Sequence, residues 1–220
     1  MISSSAVPYV VPFAIFIILM ALFGSVWHAA PLTEQLVRAI VMVAVLWFFA
    51  RPVLDFRVRR WAATTAVGAL IFLLWILPDL LFPHYREFWL FNNPLMRTAA
   101  GAPVMAGQNL TLALRSFRAI VIVPIVEELF WRAWLMRWII STKFEQVPLG
   151  TYAATAFWAV AGLFALEHGM YWDVGLLAGI IFNLWMVRTK SLGDLIWAHA
   201  VANGCLSAYV IAAGRWEYWP

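Results

Sequence analysis

Apolar runs that approach twenty residues recur along the whole chain. A run of that length matches an α-helix that crosses the roughly 30 Å hydrocarbon core of a bilayer. Only 12% of the 220 residues are charged and 65% are apolar, whereas soluble domains carry about 25% charged residues. The sequence therefore predicts an all-α polytopic membrane protein with about seven transmembrane helices, seven or eight in all, in one integral domain over residues 1–220.

The predicted spans follow from the apolar runs and from the charged or proline-containing breaks between them. In chain order they are Val7–Trp27, Leu32–Ala50, Trp61–Leu81, Gln108–Ile140, Tyr152–His168, Val174–Val187 and Leu192–Ala213. The loop Arg51–Arg60 between the second and third spans holds four arginines and one acid. A loop of this kind marks the cytoplasmic side, so the amino terminus is predicted to lie in the cytoplasm.

Three charged residues, Glu127, Glu128 and Arg132, lie inside the fourth apolar run. A charge at the centre of a membrane helix costs about 2.5–3.5 kcal/mol, so three unpaired charges cost on the order of 8–10 kcal/mol. Glu128 and Arg132 are four residues apart, share a helix face and are predicted to form an ion pair. Glu127 points about 100° away and has no obvious local partner. Such a carboxylate is a candidate general base, and Pro124 predicts a helix bend that aims it into a cavity.

Two other spans each carry a polar pair in an apolar background. Phe164 and His168 are four residues apart, as are His199 and Asn203, so each pair shares one helix face. Polar residues on three separate helices avoid lipid only by converging on the interior. The sequence therefore predicts that the helices enclose an intramembrane polar cavity. His168 ends its span near the outer side and His199 begins its span near the inner side, so the cavity must lie near mid-membrane.

The converging groups have the chemistry needed to hydrolyse an amide bond. A glutamate and two imidazoles can activate a water, and Asn and His side chains can donate to a developing oxyanion. The same Glu127, His168 and His199 set could instead bind Zn²⁺ and leave one position open for water. No His-Glu-x-x-His motif occurs, so the soluble zincin arrangement is absent. The spacing alone leaves both mechanisms open.

The motifs Glu-Glu-x-x-x-Arg, Phe-x-x-x-His and His-x-x-x-Asn, in this order on separate spans, resemble the signature of the CPBP (Abi) family. That family comprises CAAX-type intramembrane endoproteases and bacteriocin-processing relatives. The motifs extend over Glu127–Asn203. The resemblance implies a site in a membrane-embedded conical cavity, an intramembrane endopeptidase activity and a catalytic core over residues 108–213. It also leads us to expect a bacterial inner membrane protein.

Position by position, the resemblance assigns roles to the motif residues. Glu127 matches the catalytic base, which activates the attacking water together with His168. His199 and Asn203 match the residues proposed to hold the oxyanion. The supporting positions are Glu128, Arg132 and Phe164. This mechanism requires no cofactor, and Zn²⁺ remains the alternative.

Glu167 adds a carboxylate beside His168 that many members of the family lack. A helix neighbour points about 100° away, so we expect Glu167 to support the site or to lie at an interface rather than to act in catalysis. The segment Phe164–His168 and the ending Gly214–Trp219 resemble an exosortase-associated branch, the CAAX prenyl protease-related proteins. A prenylated substrate is an expectation for the eukaryotic enzymes only.

The expected partners are the lipid bilayer and a membrane-associated peptide or protein substrate, lipidated or not. The net charge is +4, and the basic residues that produce it lie at helix ends, as membrane topology demands. This charge does not indicate binding to nucleic acid. The alternative function is a membrane protein without protease activity, either a transporter or a scaffold partner of a protein-sorting system. No internal repeat is visible, which favours the hydrolase over the transporter.

Two further expectations concern the side opposite the basic loop. Glu34 and Arg38, four residues apart near the start of the second span, are expected to extend towards the interface. The segment Pro83–Gly107 is expected to form an interfacial connector with a short amphipathic helix around Arg86–Leu90.

Overall fold

A computed structural model describes residues 4–23, 30–91 and 109–219 of the chain, and every regular element in these ranges is helical. The helices are named here in chain order. They are α1 (Ser4–Ala21), α2 (Pro31–Val53), α3 (Trp61–Leu81), α4 (Asn109–Ile140), α5 (Ala154–Glu167), α6 (Trp172–Thr189) and α7 (Leu192–Ala213). Helices suit these sequences because each satisfies its own backbone hydrogen bonds where no water is present. The all-α polytopic membrane fold is thereby confirmed.

Six of these helices are long and apolar enough to cross a membrane, and α5 is a shorter apolar helix. The bounds of α3 and α7 agree with the prediction at both ends. The helix α6 begins at Trp172, two residues before the predicted start, because a 3₁₀ turn over Gly169–Tyr171 leads directly into it. The predicted end of the first span at Trp27 lies outside the described residues.

The short length of α5 explains how its carboxyl end reaches the level of the polar residues in α7. Fourteen residues extend about 21 Å along a helix axis, less than the roughly 30 Å of a hydrocarbon core. His168 directly follows α5. The helix therefore stops before it has crossed, and the chain turns back through the 3₁₀ turn into α6.

The first turn of α7 is tied to the basic loop by a buried carboxylate. Asp194 accepts hydrogen bonds from the backbone N–H groups of Arg59 and Arg60, each at 3.0 Å, and from Thr64 Oγ1 at 2.8 Å. Ser191 caps the same helix by accepting from the Asp194 N–H. These bonds fix the height of α7, and hence of His199, relative to α3.

The opposite ends of α3 and α6 are joined by a second ion cluster. Arg86 Nε lies 3.0 Å from Asp79 Oδ1, and Arg86 Nη1 lies 2.5 Å from Asp173 Oδ1 and 2.8 Å from Met170 O. Burial, followed by a hydrogen bond to Asp173, raises the pKa of the Tyr85 hydroxyl, which remains a donor. The cluster holds the turn that follows His168.

The expected amphipathic helix around Arg86–Leu90 is replaced by two 3₁₀ turns, Tyr85–Glu87 and Trp89–Phe91. Within these turns Arg86 contacts Asp79, Asp173 and the carbonyl of Met170. The rest of the expected connector, residues 92–107, lies outside the described residues.

The helices α3 and α7 approach each other closely at Gly68. A Cβ atom at this position would lie 2.4 Å from Ala198 O and 2.7 Å from the Val201 Cβ atom. The absence of a side chain is therefore what permits the contact. Ala198 directly precedes His199, so this contact sets the position of the imidazole.

We predict that Gly68→Ala destabilises the protein by about 1–3 kcal/mol through overpacking. Gly162→Ala in α5 is the matched control, because a Cβ there meets nothing within 4 Å. Since Ala favours a helix over Gly by about 1 kcal/mol, the control should be neutral or stabilising. Thermal unfolding of both purified variants in detergent measures the difference, and equal melting temperatures would contradict the prediction.

Candidate active site

A cavity of about 300 Å³ lies between the helices and brings the three predicted motifs together. The predicted residues that line it are Glu127, Phe164, His168, His199 and Asn203. Aromatic and aliphatic side chains form most of the remaining wall, including Phe16, Met20, Ile71, Phe72, Trp75 and Leu206. Residues of the turn Gly169–Tyr171 and the tail residues Tyr218 and Trp219 complete it on the side away from the basic loop. The convergence predicted from the sequence is therefore present in the structure.

The helix α4 departs from α-helical geometry on both sides of the paired glutamates. Residues Arg118–Ile122 and Leu129–Leu135 are π-helical, with a short α-helical segment, Val123–Glu128, between them. Such π segments are rare and often occur at functional sites. They change the angle at which successive side chains leave the helix, so they determine which residues of α4 face the cavity.

The first π segment also explains the position of Asn203. The Val123 N–H donates to Arg118 O, five residues back. The next carbonyl in that register, Ala119 O, would face Pro124, which has no N–H. Asn203 Nδ2 donates to Ala119 O at 2.8 Å and so supplies the missing donor. One N–H and the carbonyl oxygen of the Asn203 amide remain for other partners.

A buried chain of polar groups connects α4, α6 and α7. Arg132 Nη1 donates to both oxygens of Glu128, at 3.1 and 3.2 Å, so the predicted ion pair is confirmed as a contact. Glu128 Oε1 also lies 2.7 Å from His199 Nδ1. On its other side, Arg132 Nε donates to Asn183 Oδ1 at 3.0 Å, and Asn183 Nδ2 donates to Phe157 O at 2.8 Å. The side chains of Arg132 and Glu128 are fully buried.

This chain sets the orientation and tautomer of His199. A carboxylate accepts, so the Nδ1 of the imidazole carries a hydrogen, and Nε2 is the nitrogen that this contact leaves over. A carboxylate orients the imidazole of a serine protease triad in the same way. The Phe182 ring stacks on the imidazole at a centroid distance of 4.8 Å. His199 is 5% exposed and is held from two directions.

The Phe164 ring lies between the guanidinium of Arg132 and the imidazole rings of His168 and His199. The Arg132 guanidinium lies 4.3 Å from its ring centroid, and the His168 ring lies 4.5 Å from it. The His199 ring is 6.3 Å away. A guanidinium at this distance is attracted to the ring face by a cation–π interaction, which is stronger for a buried group such as Arg132. Phe164 therefore links the second motif to both of the others.

His168 is fixed by its own helix and by α6. Its Nδ1 lies 2.7 Å from Phe164 O, so Nδ1 donates and Nε2 is the free nitrogen of the neutral ring. A Cβ atom at Gly175 would lie 3.1 Å from the His168 Cβ atom, so α6 packs directly against this residue. Trp75 contacts the ring edge-on at a centroid distance of 5.2 Å.

Glu127 differs from Glu128 in having an unsatisfied oxygen. Glu127 is 5% exposed, and its Oε2 has no hydrogen-bond partner among the described residues. A buried polar atom of this kind costs about 1–3 kcal/mol unless a water or substrate supplies the bond. No direct contact between Glu127 and either imidazole is present in the described structure. The side chain faces the cavity that both rings also line.

Glu167 lines the same cavity, and Trp131 Nε1 donates to its Oε2 at 3.1 Å. Glu167 therefore lies in the cavity wall, where it has a defined partner. The bond from Trp131 to Glu167 does not follow from the spacing of either residue. Asn183 lies outside the three motifs, although a lone intramembrane asparagine is a signal that could have identified it.

The zinc alternative requires that Glu127, His168 and His199 lie close enough together to share one metal ion. Within residues 4–23, 30–91 and 109–219, no three His, Cys, Asp or Glu side chains are grouped closely enough to hold a metal ion. In the set Glu127, His168 and His199, each Nδ1 lies on a protein acceptor and leaves Nε2 over, an arrangement that metal-ligating histidines also use. The misfit with zinc is therefore one of distance, because these residues are not grouped closely enough to share one ion.

The fold and the cavity define a class: a helical integral membrane protein with carboxylates and imidazoles from three helices around a buried cavity. Within it, residues 108–205 match the family model described as Rce1-like, type II CAAX prenyl endopeptidase Rce1-like. The match confirms the resemblance to the CPBP family over this segment, which is less than half of the 220 residues. At the level of the family it supports a CAAX-type membrane endopeptidase. The exosortase-associated branch stays a prediction.

Neither a curated protein nor a solved structure matches the chain.

We predict that Arg132→Met destabilises the protein by about 3–5 kcal/mol, because it leaves the Glu128 charge buried without compensation. The double variant Glu128→Gln/Arg132→Met should recover at least about half of this loss, since no buried charge then remains. Denaturant or thermal unfolding in detergent measures both.

The matched control is Arg215→Met, which breaks the exposed pair with Glu217. It should cost at most about 1 kcal/mol. A double variant as unstable as the single variant would mean that Arg132 stabilises the fold through packing on Phe164 and Phe182 rather than through charge.

Proposed function

We propose that the chain is an intramembrane endopeptidase that hydrolyses a peptide bond with a water activated by Glu127 and His168. The single observation that carries this proposal is the buried Glu127 carboxyl group, whose Oε2 has no hydrogen-bond partner among the described residues, in the wall of a cavity lined also by His168, His199 and Asn203. The two carboxylates closest to Glu127 in the motifs do have partners: Glu128 contacts Arg132 and His199, and Glu167 accepts from Trp131.

In the proposed first step, a water in the cavity donates a hydrogen bond to the Glu127 carboxylate. Glu127 takes the proton as the water oxygen attacks the carbonyl carbon of the peptide bond. His168 orients the same water through its free Nε2, since Nδ1 is committed to Phe164 O. The proton is then passed to the leaving amine nitrogen as the carbon–nitrogen bond breaks.

The oxyanion that forms is assigned to His199 and Asn203. Asn203 has one N–H left after it donates to Ala119 O. His199 donates to an oxyanion from Nε2 only when both of its nitrogens are protonated, and Glu128 at Nδ1 stabilises that imidazolium. Removal of one oxyanion donor typically costs 10²–10³-fold in rate, or roughly 3–4 kcal/mol.

The substrate is proposed to be a membrane-associated peptide or protein, because the remainder of the cavity wall is apolar and aromatic. The proposal covers substrates with and without an attached lipid. We propose residues 108–213 as the catalytic core. Residues of α1 and α3 also line the cavity, which favours one integral domain over residues 1–220.

The proposed location is a bacterial inner membrane, with the amino terminus in the cytoplasm. The support for this orientation is the basic loop Arg51–Arg60. The cavity wall then includes the turn Gly169–Tyr171 on the far side.

We predict that Glu127→Gln lowers the rate of substrate cleavage by at least about 10²–10⁴-fold while the protein inserts and folds normally. The amide keeps the shape of the side chain and removes its basicity. Comparison of the membrane peptidomes of wild-type and Glu127→Gln cells identifies substrates as full-length chains that accumulate in the variant.

The matched control is Glu87→Gln, the same change at an exposed glutamate outside the cavity. It should leave the peptidome unchanged. Peptidomes that are identical for Glu127→Gln and wild type, at equal protein levels, would exclude the protease and favour a scaffold.

We predict that cleavage of a substrate found in this way survives treatment with a metal chelator, because the proposed steps use only Glu127, His168, His199 and Asn203. Activity before chelation, after chelation and after addition of Zn²⁺ is measured on the same preparation. Loss on chelation with recovery on Zn²⁺ addition would overturn the metal-free mechanism in favour of the zinc alternative.

A further inference from the structure

Two polar groups in the cavity wall lie outside the three motifs and have no hydrogen-bond partner among the described residues. They are the indole nitrogen Nε1 of Trp75 on α3 and the hydroxyl oxygen Oγ of Ser207 on α7. Both atoms are buried, and Ser207 as a whole is 2% exposed. Buried polar groups are almost always hydrogen-bonded, so each exception calls for an explanation. Because both residues line one cavity, a ligand in that cavity is a candidate partner.

Ser207 continues the polar face of α7 that the third motif begins. The residues of α7 in the cavity wall are His199, Ala202, Asn203, Leu206 and Ser207, which is the spacing of a single helix face. The polar members of this set recur every four residues. Ser207 therefore lies about 6 Å along the helix axis from Asn203, on the side away from His199.

The packing of α3 against α7 brings Trp75 to the level of Ser207. The bonds of Asp194 join the first turns of the two helices, and Gly68 meets Val201 further along, so both helices run in the same direction. Trp75 lies seven residues after Gly68, about 10 Å along the axis. Ser207 lies six residues after Val201, about 9 Å along the axis. The two unpaired groups are therefore at the same depth.

Trp75 also lies beside the candidate reacting groups. Its ring contacts the His168 imidazole edge-on at a centroid distance of 5.2 Å and stacks with Tyr171 at 6.0 Å. Ser207 is one helical turn from Asn203. Under the proposed function, His168 orients the water and Asn203 holds the oxyanion. The two unpaired groups therefore adjoin the place where the peptide bond is cleaved.

The two groups together select a hydrogen-bond acceptor. An indole N–H only donates, whereas a hydroxyl donates or accepts, so a ligand that bonds to both must offer an acceptor oxygen. The described residues that line the cavity include no arginine or lysine, the side chains that most strongly bind carboxylates and phosphates. An uncharged carbonyl oxygen is therefore the acceptor that fits.

We propose that Trp75 and Ser207 bind a backbone carbonyl of the substrate, two residues away from the peptide bond that is cleaved. This rests on the proposed peptidase function, which places the scissile carbonyl at Asn203. An extended chain rises about 3.3 Å per residue, so the roughly 6 Å between Asn203 and Ser207 corresponds to two residues. Carbonyl groups two residues apart in an extended chain point to the same side. The substrate then lies extended along α7, and the Ser207 hydroxyl reaches the second carbonyl by rotation about χ1.

The test uses the full chain, purified in an uncharged detergent, and NMR of the Trp indole N–H groups. The probes are the acetyl-dipeptide methylamides of Leu-Leu, Phe-Phe and Ala-Ala, which are apolar like the cavity wall and contain carbonyls two residues apart. The Trp75 resonance is the one that is absent from Trp75→Phe. At least one dipeptide should shift this resonance downfield, in the wild type and in Glu127→Gln alike, because binding requires no hydrolysis.

Ser207→Ala and Trp75→Phe should each weaken binding of that dipeptide about fivefold, the loss expected for one hydrogen bond, as measured by saturation transfer to the dipeptide. The matched controls are Ser116→Ala and Trp185→Phe, which remove groups that are also buried without a partner among the described residues but lie outside the cavity wall. Both controls should bind like the wild type. Ser207→Ala removes no hydrogen bond of the described structure, so it should not lower the melting temperature, and it decides the test if Trp75→Phe fails to fold.

A Trp75 resonance that no dipeptide shifts, or a Ser207→Ala variant that binds like the wild type, would overturn the proposal in favour of a water at this position. The same dipeptides with a free carboxylate test the assignment to a backbone carbonyl. If they bind about tenfold tighter than the methylamides, the acceptor is a C-terminal carboxylate and the assignment is wrong.

The peptidome of Glu127→Gln cells tests the peptidase separately. An unchanged peptidome together with a shifted Trp75 resonance would remove the peptidase and keep a binding site for a peptide carbonyl. A changed peptidome with an unshifted Trp75 resonance would keep the peptidase and remove this site.

Discussion

The fully buried guanidinium of Arg132 is the interaction on which the rest of the structure depends. A charge removed from water must be compensated by ion pairing and hydrogen bonds, because its desolvation costs several kcal/mol. Glu128 supplies the charge, Asn183 supplies a carbonyl oxygen, and Phe164 and Phe182 supply ring faces. These partners come from α4, α5 and α6. A shift in the register of any of the three helices would remove one of these partners, and Arg132 Nη2 already has no hydrogen-bond partner among the described residues.

One further contact connects the ion pair of Glu128 and Arg132 to the candidate active site. Glu128 carries the negative charge that holds His199 Nδ1, so α7 is bound into the network as well. Glu128 is then saturated, with bonds to a guanidinium and an imidazole. The neighbouring residue, Glu127, points about 100° away around the helix, lines the cavity, and has one oxygen without a hydrogen-bond partner among the described residues. Two adjacent glutamates thus differ in environment because only one of them can face Arg132.

Much of this was predictable from spacing, because spacing alone decides which residues of one helix share a face. The pair Glu128 and Arg132 followed from an interval of four, and the convergence of His168 and His199 followed from the cost of exposing them to lipid. The helix bounds followed from apolar length, as for α3 and α7. These inferences need only the geometry of a helix and the polarity of its surroundings.

What could not be predicted depends on contacts between helices or on departures from regular geometry. The bond between Trp131 and Glu167 joins residues on α4 and α5, and it depends on the π segment that turns Trp131 towards α5. The bond from Asn183 to Phe157 O depends on how α6 and α5 cross. The ties of Asp194 to the basic loop join segments 134 and 135 residues apart. No pattern in one helix specifies any of these.

Pro124 shows how a local backbone defect can fix the geometry of a site. Because proline has no N–H, Ala119 O lacks the donor that the π register would otherwise give it. Asn203 fills this position from α7, so the defect in α4 becomes a hydrogen bond between two helices. Glu127 lies three residues beyond Pro124, and His199 lies one turn before Asn203. The proposed base and the proposed oxyanion-binding groups therefore lie on helices that are joined at this missing hydrogen bond, and a regular α4 would leave Asn203 without this partner.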